Sequence, residues 1–314
     1  MLVALYGCGA DSVGPSIIPG VPSAVIFVGA GDIAECDGPG AERTAQLLDG
    51  IDGAVFTAGD NAYFHGTASD FRECYDITWG RHKFRTRPTP GNHEYETPGA
   101  APYYAYFGGA AGPPGLGYYS YTVGTWHVIS LNTEVDLRPA SDQLTWLHND
   151  LAANPVQCTI AIWHRPLFTS GPNGPFLPSR ELWQTLYDAG ADIVINGHEH
   201  LYERFAPQDT QGRLDLVRGM PEFIVGTGGA MLYLFGPQKP NSEARQSVWG
   251  VLKFTLPTVA HGRPRPGERK GKLWESLTWG SARSLAIRRW WSTSPRRRRS
   301  RASSRRRRRP APAR

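Results

Sequence analysis

Apolar residues along this chain come in short, closed runs. Ala24-Val25-Ile26-Phe27-Val28, Ala54-Val55-Phe56-Thr57-Ala58, Thr159-Ile160-Ala161-Ile162-Trp163 and Asp192-Ile193-Val194-Ile195 have the length of strands buried on both faces. Residues 118–123 and 126–131 predict two strands across a Gly124-Thr125 turn. Residues 223–226 and 251–254 predict two later strands. Helical spacing covers residues 41–48, 69–75, 141–153 and 180–189. In the third of these, Leu144, Leu147 and Leu151 share a face and Ser141 is the expected cap. Strand, polar loop and helix alternate, and strands dominate later. That order predicts an α/β fold of two packed sheets with helices outside, with no internal repeat and no second domain.

Charge divides the chain. Its formal net charge of +6 comes from 34 Lys+Arg against 28 Asp+Glu. Residues 281–314 hold fourteen of the arginines and no acid, so residues 1–280 carry 20 basic and 28 acidic groups, a net of −8. An acidic body excludes reading the folded part as a nucleic-acid binder. After Phe254 the periodicity stops, and the arginine blocks 296–299 and 305–309 predict a solvated, disordered tail. We read residues 257–314 as the product of a shifted reading frame; a tail for nucleic acid or anionic lipid is the alternative. At the other end, Leu5-Tyr6-Gly7-Cys8 resembles a lipoprotein cleavage box, which makes Cys8 a candidate lipid anchor and residues 1–23 a signal remnant and tether. The charged start and long apolar core of an export signal are missing, so the signal reads as truncated and the protein as exported. Cys36 and Cys74 leave a disulfide and two free thiols equally open, and Cys158 is expected simply to be buried.

Candidate chemistry sits just past the strand ends. Asp32 follows the first run and Asp60 the second, with Tyr63 three residues on. Asn92 and His93 occupy Gly91-Asn92-His93-Glu94, His164 ends the Thr159 run, and His198 and His200 lie in Gly197-His198-Glu199-His200. Carboxylate, phenol, amide and imidazole donors suit zinc, iron or manganese. The two oxygens of Asp60 could serve two ions at once. Each motif alone is weak, since a Gly-Asp after a strand is usually a turn and a lone buried histidine is usually structural.

Taken in order, the five motifs resemble the calcineurin-like metallophosphoesterases, and Tyr63 in Gly-Asp-x-x-Tyr, with Ala34 where other branches carry histidine, resembles the purple acid phosphatase branch. The resemblance spans residues 24–256 and implies a four-layer α/β/β/α sandwich of two mixed sheets with outer helices. It implies one metal, ferric iron, held by Asp32, Asp60, Tyr63 and His200. A second, divalent iron, zinc or manganese, would be held by Asp60, Asn92, His164 and His198. His93 would act on the phosphoryl oxygen or the leaving group, as the catalytic residue. The implied activity is hydrolysis of small phosphate monoesters by a metal-bound hydroxide. A phosphodiesterase or nucleotidase on the same core is one alternative, and a metal-binding protein without turnover is another. Arg165 is expected either to meet an anionic substrate or to pair with a neighbouring acid. His65, His82, His127, His148 and His261 fit no motif and are left as structural or surface residues.

Overall fold

In a computed structural model, residues 24–155 and 158–258 are described in full, together with the backbone of two short strands at Val3–Leu5 and Gly280–Ser281. The Cys8 anchor, the rest of the expected signal and tether, His261 and the arginine blocks lie outside the described residues. Internal contacts divide the chain at Ala282, and all described residues belong to the first unit. Among them, no helix is long and apolar enough to cross a membrane.

The strands in chain order are β1 (Val3–Leu5), β2 (Ala24–Ala30), β3 (Ala54–Thr57), β4 (Thr86–Arg87), β5 (Tyr119–Val123), β6 (Trp126–Ser130), β7 (Thr159–Ile162), β8 (Ile193–Asn196), β9 (Tyr202–Gln208), β10 (Met220–Val225), β11 (Ser242–Gln246), β12 (Gly250–Pro257) and β13 (Gly280–Ser281). One sheet runs β1-β12-β2-β3-β4, with β13 also on β12; the other runs β11-β9-β10-β8-β7-β6-β5. Both are mixed. β2, β3 and β4 are parallel while β12 joins antiparallel to β2; β6, β7, β8 and β10 are parallel while β5 and β9 join antiparallel.

Side-chain alternation packs the layers. From the second sheet Ile160, Ile162, Ile193 and Ile195 enter one core with Phe27, Phe56 and Phe254 of the first, while Ala161 and Val194 point the other way. The period of two in a strand requires this split. On that far face Leu144 and Leu147 of helix Asp142–Ala153 and Leu182, Trp183 and Leu186 of helix Ser179–Ala189 close a second core. Helix Gly40–Asp49 brings Ala41, Ala45 and Leu48 to the first core. Two mixed sheets lie face to face with helices outside, the expected fold class.

Local predictions meet the structure with small shifts. Ser141 caps its helix, its Oγ accepting from the Leu144 amide at 3.4 Å. The helix expected over residues 69–75 is split into Ala68–Asp70 and a wider-wound turn, Phe71–Tyr75. That turn carries Cys74, which is bonded to Cys36 with Cα atoms 4.8 Å apart. The alternative left open is thereby closed as a disulfide. Cys158 is buried ahead of β7 but, against the expectation of a merely buried thiol, is disulfide-bonded as well, so no cysteine among the described residues is free. The disulfide closes a separation of 38 residues, and cross-linking a loop of that size stabilises by roughly 4 kcal/mol through the unfolded chain. Cys36→Ser is therefore expected to lower the urea midpoint clearly. An unchanged midpoint would remove the disulfide from the account of stability.

Candidate metal centre

The carboxyl ends of β2 and β3 in one sheet and of β7 and β8 in the other open onto a common place, where α/β sheets position ligands. Asp32 and Asp60 follow β2 and β3; His164 and His198 follow β7 and β8. Three of these turn through left-handed backbone: Asp32 at φ 59, Asp60 at φ 49 and His198 at φ 69. Non-glycine residues adopt that region at a cost of about 1–3 kcal/mol, and surrounding structure must enforce it. The enforcement is visible. The amides of Asp32, Ile33 and Ala34 donate to the carbonyls of Gly59, Asp60 and Asn61 at 2.9–3.1 Å, and Tyr63 N returns to Ala34 O at 3.0 Å. Two glycines admit the close approach: a Cβ on Gly59 would lie 2.3 Å from His164 Nδ1, and one on Gly91 would lie 2.2 Å from Asp60 Oδ1.

The side chains then meet. His164 Nε2 lies 3.0 Å from Asp60 Oδ2, with His93 Nε2 at 3.8 Å from the same oxygen. Tyr63 Oη is 3.3 Å from Asp60 Oδ2, 3.0 Å from Asp32 Oδ1 and 3.0 Å from His200 Nε2. His198 Nδ1 stands 3.2 Å from His164 Nε2, and its amide donates to Asp32 Oδ2 at 2.8 Å. His93 donates its amide to Asp60 Oδ1 at 2.9 Å. Next to it, Asn92 Oδ1 is buried without a hydrogen-bond partner. The candidate residues of the separate motifs are thus drawn to one place.

The outer nitrogens of two imidazoles fix their tautomers. His164 Nδ1 faces Ala58 O at 2.8 Å and His200 Nδ1 faces Met231 O at 2.7 Å. A carbonyl only accepts, so both Nδ1 atoms carry hydrogen, and each Nε2 faces the cluster as the nitrogen that holds a proton against a carboxylate or gives it up to bind a cation. Tyr63 therefore faces two carboxylate oxygens and the Nε2 of an imidazole. A converging set of lone pairs and a buried amide oxygen without a donor is the donor chemistry of a cation site, and the residues fit one. The charges also act strongly on each other. Burial pushes His164 down, but the Asp60 carboxylate reverses this and holds it raised, at about 10. Burial works to raise Asp60, yet His164 and His93 keep it far below the usual carboxylate range. Burial and the neighbouring His164 charge lower His198 to about 3, and burial with Asp32 and Asp60 nearby drives the Tyr63 phenol well up.

Several supports were not legible as such in the sequence. Glu94, fully buried, accepts from the amides of Asp60, Asn61, Ala62 and Gly91 at 2.7–3.3 Å, so one carboxylate holds two site loops. A glutamate three residues after a helix cap was the available signal. Tyr233 lies flat on His200, ring centroids 4.1 Å apart and 9° from parallel, and its amide donates to His200 O at 2.9 Å. Arg165 turns to Glu134, with Nε to Oε1 at 2.8 Å, which favours the ion pair over a substrate contact. His127 is buried against Asp150 at 2.7 Å, a structural role as expected.

Comparison with known proteins follows the geometry. The calcineurin-like phosphoesterase family model matches residues 27–202. A probable purple acid phosphatase 20 of Arabidopsis thaliana is 31% identical over 46% of this chain and 36% of its own length. Purple acid phosphatase 18 of the same plant is 29% identical over 88% of this chain and 64% of its own length. The chain thus spans less than two thirds of the curated relatives it matches. Among solved structures, a purple acid phosphatase from yellow lupin (Lupinus luteus) seeds superposes with TM-score 0.62 at 22% identity, over 76% of this chain and 50% of that one. The anchor in the inner membrane complex of Plasmodium shares the fold at TM-score 0.57 and 14% identity, over 74% of this chain and 81% of that one.

Proposed function

This chain belongs to the calcineurin-like phosphoesterase family, and from that premise we propose that it is a metal-dependent phosphatase acting on small phosphate monoesters, with two metal ions. Asp32, Asp60, Tyr63 and His200 would hold one ion, and their two carboxylates and phenolate favour ferric iron. Asp60, Asn92, His164 and His198 would hold the other, where imidazoles and an amide oxygen suit divalent iron, zinc or manganese. When bound, such a pair offsets the charge of a phosphate ester and lowers the pKa of water towards neutrality. The observation that carries this reading is the position of Asp60, whose Oδ2 is approached by Tyr63 from one donor group and by His164 from the other.

The chain's own groups account for the rest. In hydrolysis a water oxygen bonds to phosphorus, the P–O ester bond breaks, and the departing oxygen takes a proton. His93 Nδ1 is bound to the Phe64 carbonyl, so Nδ1 carries hydrogen and Nε2 is the nitrogen turned to the site. With the ring doubly protonated, that nitrogen donates its proton to the leaving oxygen or steadies a phosphoryl oxygen. The Cys36–Cys74 disulfide supports work outside the cytoplasm, since reducing compartments rarely keep such bonds.

The test is chelation followed by return of iron with zinc or manganese, assaying a monoester beside a diester. Monoester turnover that disappears and returns with metal is expected; metal-independent turnover would refute the proposal, and a diester preference would move it to the phosphodiesterase alternative. Oxidised, iron-loaded protein should also show a visible phenolate-to-iron absorption that Tyr63→Phe lacks. A fully iron-loaded protein without that band would exclude iron at Tyr63.

A further inference from the structure

Beside the metal centre lie two rings that the chemistry above does not use, those of Phe64 and Tyr233. Phe64, directly after Tyr63, leaves 53% of its surface to solvent. It is nevertheless fixed in place: its carbonyl accepts from His93 Nδ1, and its ring meets Tyr63 edge-on with centroids 5.8 Å apart. Tyr63 in turn lies 4.5 Å from the His93 ring and 5.8 Å from the His200 ring, and His200 is stacked on Tyr233. Phe64, Tyr63, His200 and Tyr233 therefore form an unbroken row of rings along the donor cluster. Beyond Tyr233 the same loop exposes Leu234, 85% accessible. Single exposed apolar residues are ordinary. Phe64 differs in being held, through its backbone, to a histidine of the site.

We propose that Phe64, the exposed end of this row, is a ledge for the alcohol half of the substrate, so that the favoured substrates are phosphate monoesters of flat aromatic alcohols. The inference rests on the phosphatase reading. It follows from direction: the phosphoryl group belongs at the carboxylates and imidazoles, the departing oxygen belongs at His93 Nε2, and the Phe64 backbone carbonyl holds the other nitrogen of that imidazole, which sets Phe64 beside it. A group leaving past His93 passes Phe64. A planar ring can stack on or pack edge-on against this surface, whereas a small polyol finds no hydrogen-bonding partner in the Phe64 side chain.

The experiment compares 1-naphthyl phosphate with glycerol 2-phosphate in wild-type protein, Phe64→Ala and Phe64→Leu. Aryl esters are intrinsically more reactive, so the quantity read is the change in the naphthyl-to-glycerol ratio of kcat/KM between proteins. Phe64→Ala is expected to lower that ratio about five- to tenfold, mainly through KM for the naphthyl ester. Phe64→Leu, which keeps apolar area without a π face, should recover only part of it. A ratio within twofold of wild type in Phe64→Ala overturns the ledge, and full recovery in Phe64→Leu overturns its aromatic character. Wild-type turnover of glycerol 2-phosphate tests the underlying phosphatase reading separately: if neither ester is hydrolysed, that reading fails instead.

Discussion

Asp60→Asn is expected to lower monoester hydrolysis by about three orders of magnitude, because paired-cation charge stabilisation is worth several kcal/mol and each 1.36 kcal/mol is about tenfold. The substitution is nearly isosteric, so its effect is chemical. Asp60 Oδ1 accepts from the His93 amide at 2.9 Å, which would hold the asparagine oxygen there. The NH2 would then take the place of Oδ2, facing Tyr63 Oη and His164 Nε2. An amide nitrogen has no lone pair for a cation, so the junction between the two donor groups is lost. Metal content by emission spectroscopy should fall from two ions per chain towards one, alongside the kinetics. Two retained ions with activity within tenfold of wild type would sink the assignment of Asp60 as the bridge.

The sequence made this residue conspicuous for a physical reason. Strands buried on both faces read as unbroken apolar runs, so a polar side chain directly past the end of one stands out. β2, β3, β7 and β8 are of that kind, and each delivers a candidate residue. β9 was not foreseen because it breaks the rule from within: Glu203, its second residue and fully buried, is satisfied by Ser170 and Ser242, and Pro207 follows. β11 lies at the sheet edge with polar, half-exposed residues, and gives little pattern to read. The same limit applies to the site. Asp32, Asp60 and the histidines could be picked out by type and spacing. The function of Met231 could not, because it resides in a backbone carbonyl aimed at His200, and its own amide is held by Glu35 at 2.8 Å. Residue identity carries no signal for either contact. For the cysteines, only the fold could choose between thiols and a bridge.

Glu94 shows most sharply what tertiary structure adds, and Glu94→Ala is expected to destabilise the fold by about 3 kcal/mol or more, the scale set by buried N–H groups left unpaired at about 1–3 kcal/mol each and by their incomplete additivity. Four amides point at this carboxylate: Gly91 and Asn61 at 2.7 Å, Asp60 at 3.1 Å and Ala62 at 3.3 Å. All belong to the loops that present Asp60, Tyr63, Asn92 and His93. Removing the acceptor leaves buried N–H groups unpaired, which costs more than the bonds themselves contribute. It also frees Asp60 from the enforcement its left-handed backbone requires. Urea unfolding of metal-stripped protein isolates this term from any loss of ion binding, and Glu94→Asp provides the contrast of a carboxylate one methylene short. If Glu94→Ala unfolds within about 1 kcal/mol of wild type, the carboxylate is not what holds the two loops together. If it unfolds early and Glu94→Asp follows it, reach rather than the carboxyl group alone decides, and the proposed ligands depend on a residue outside their own set.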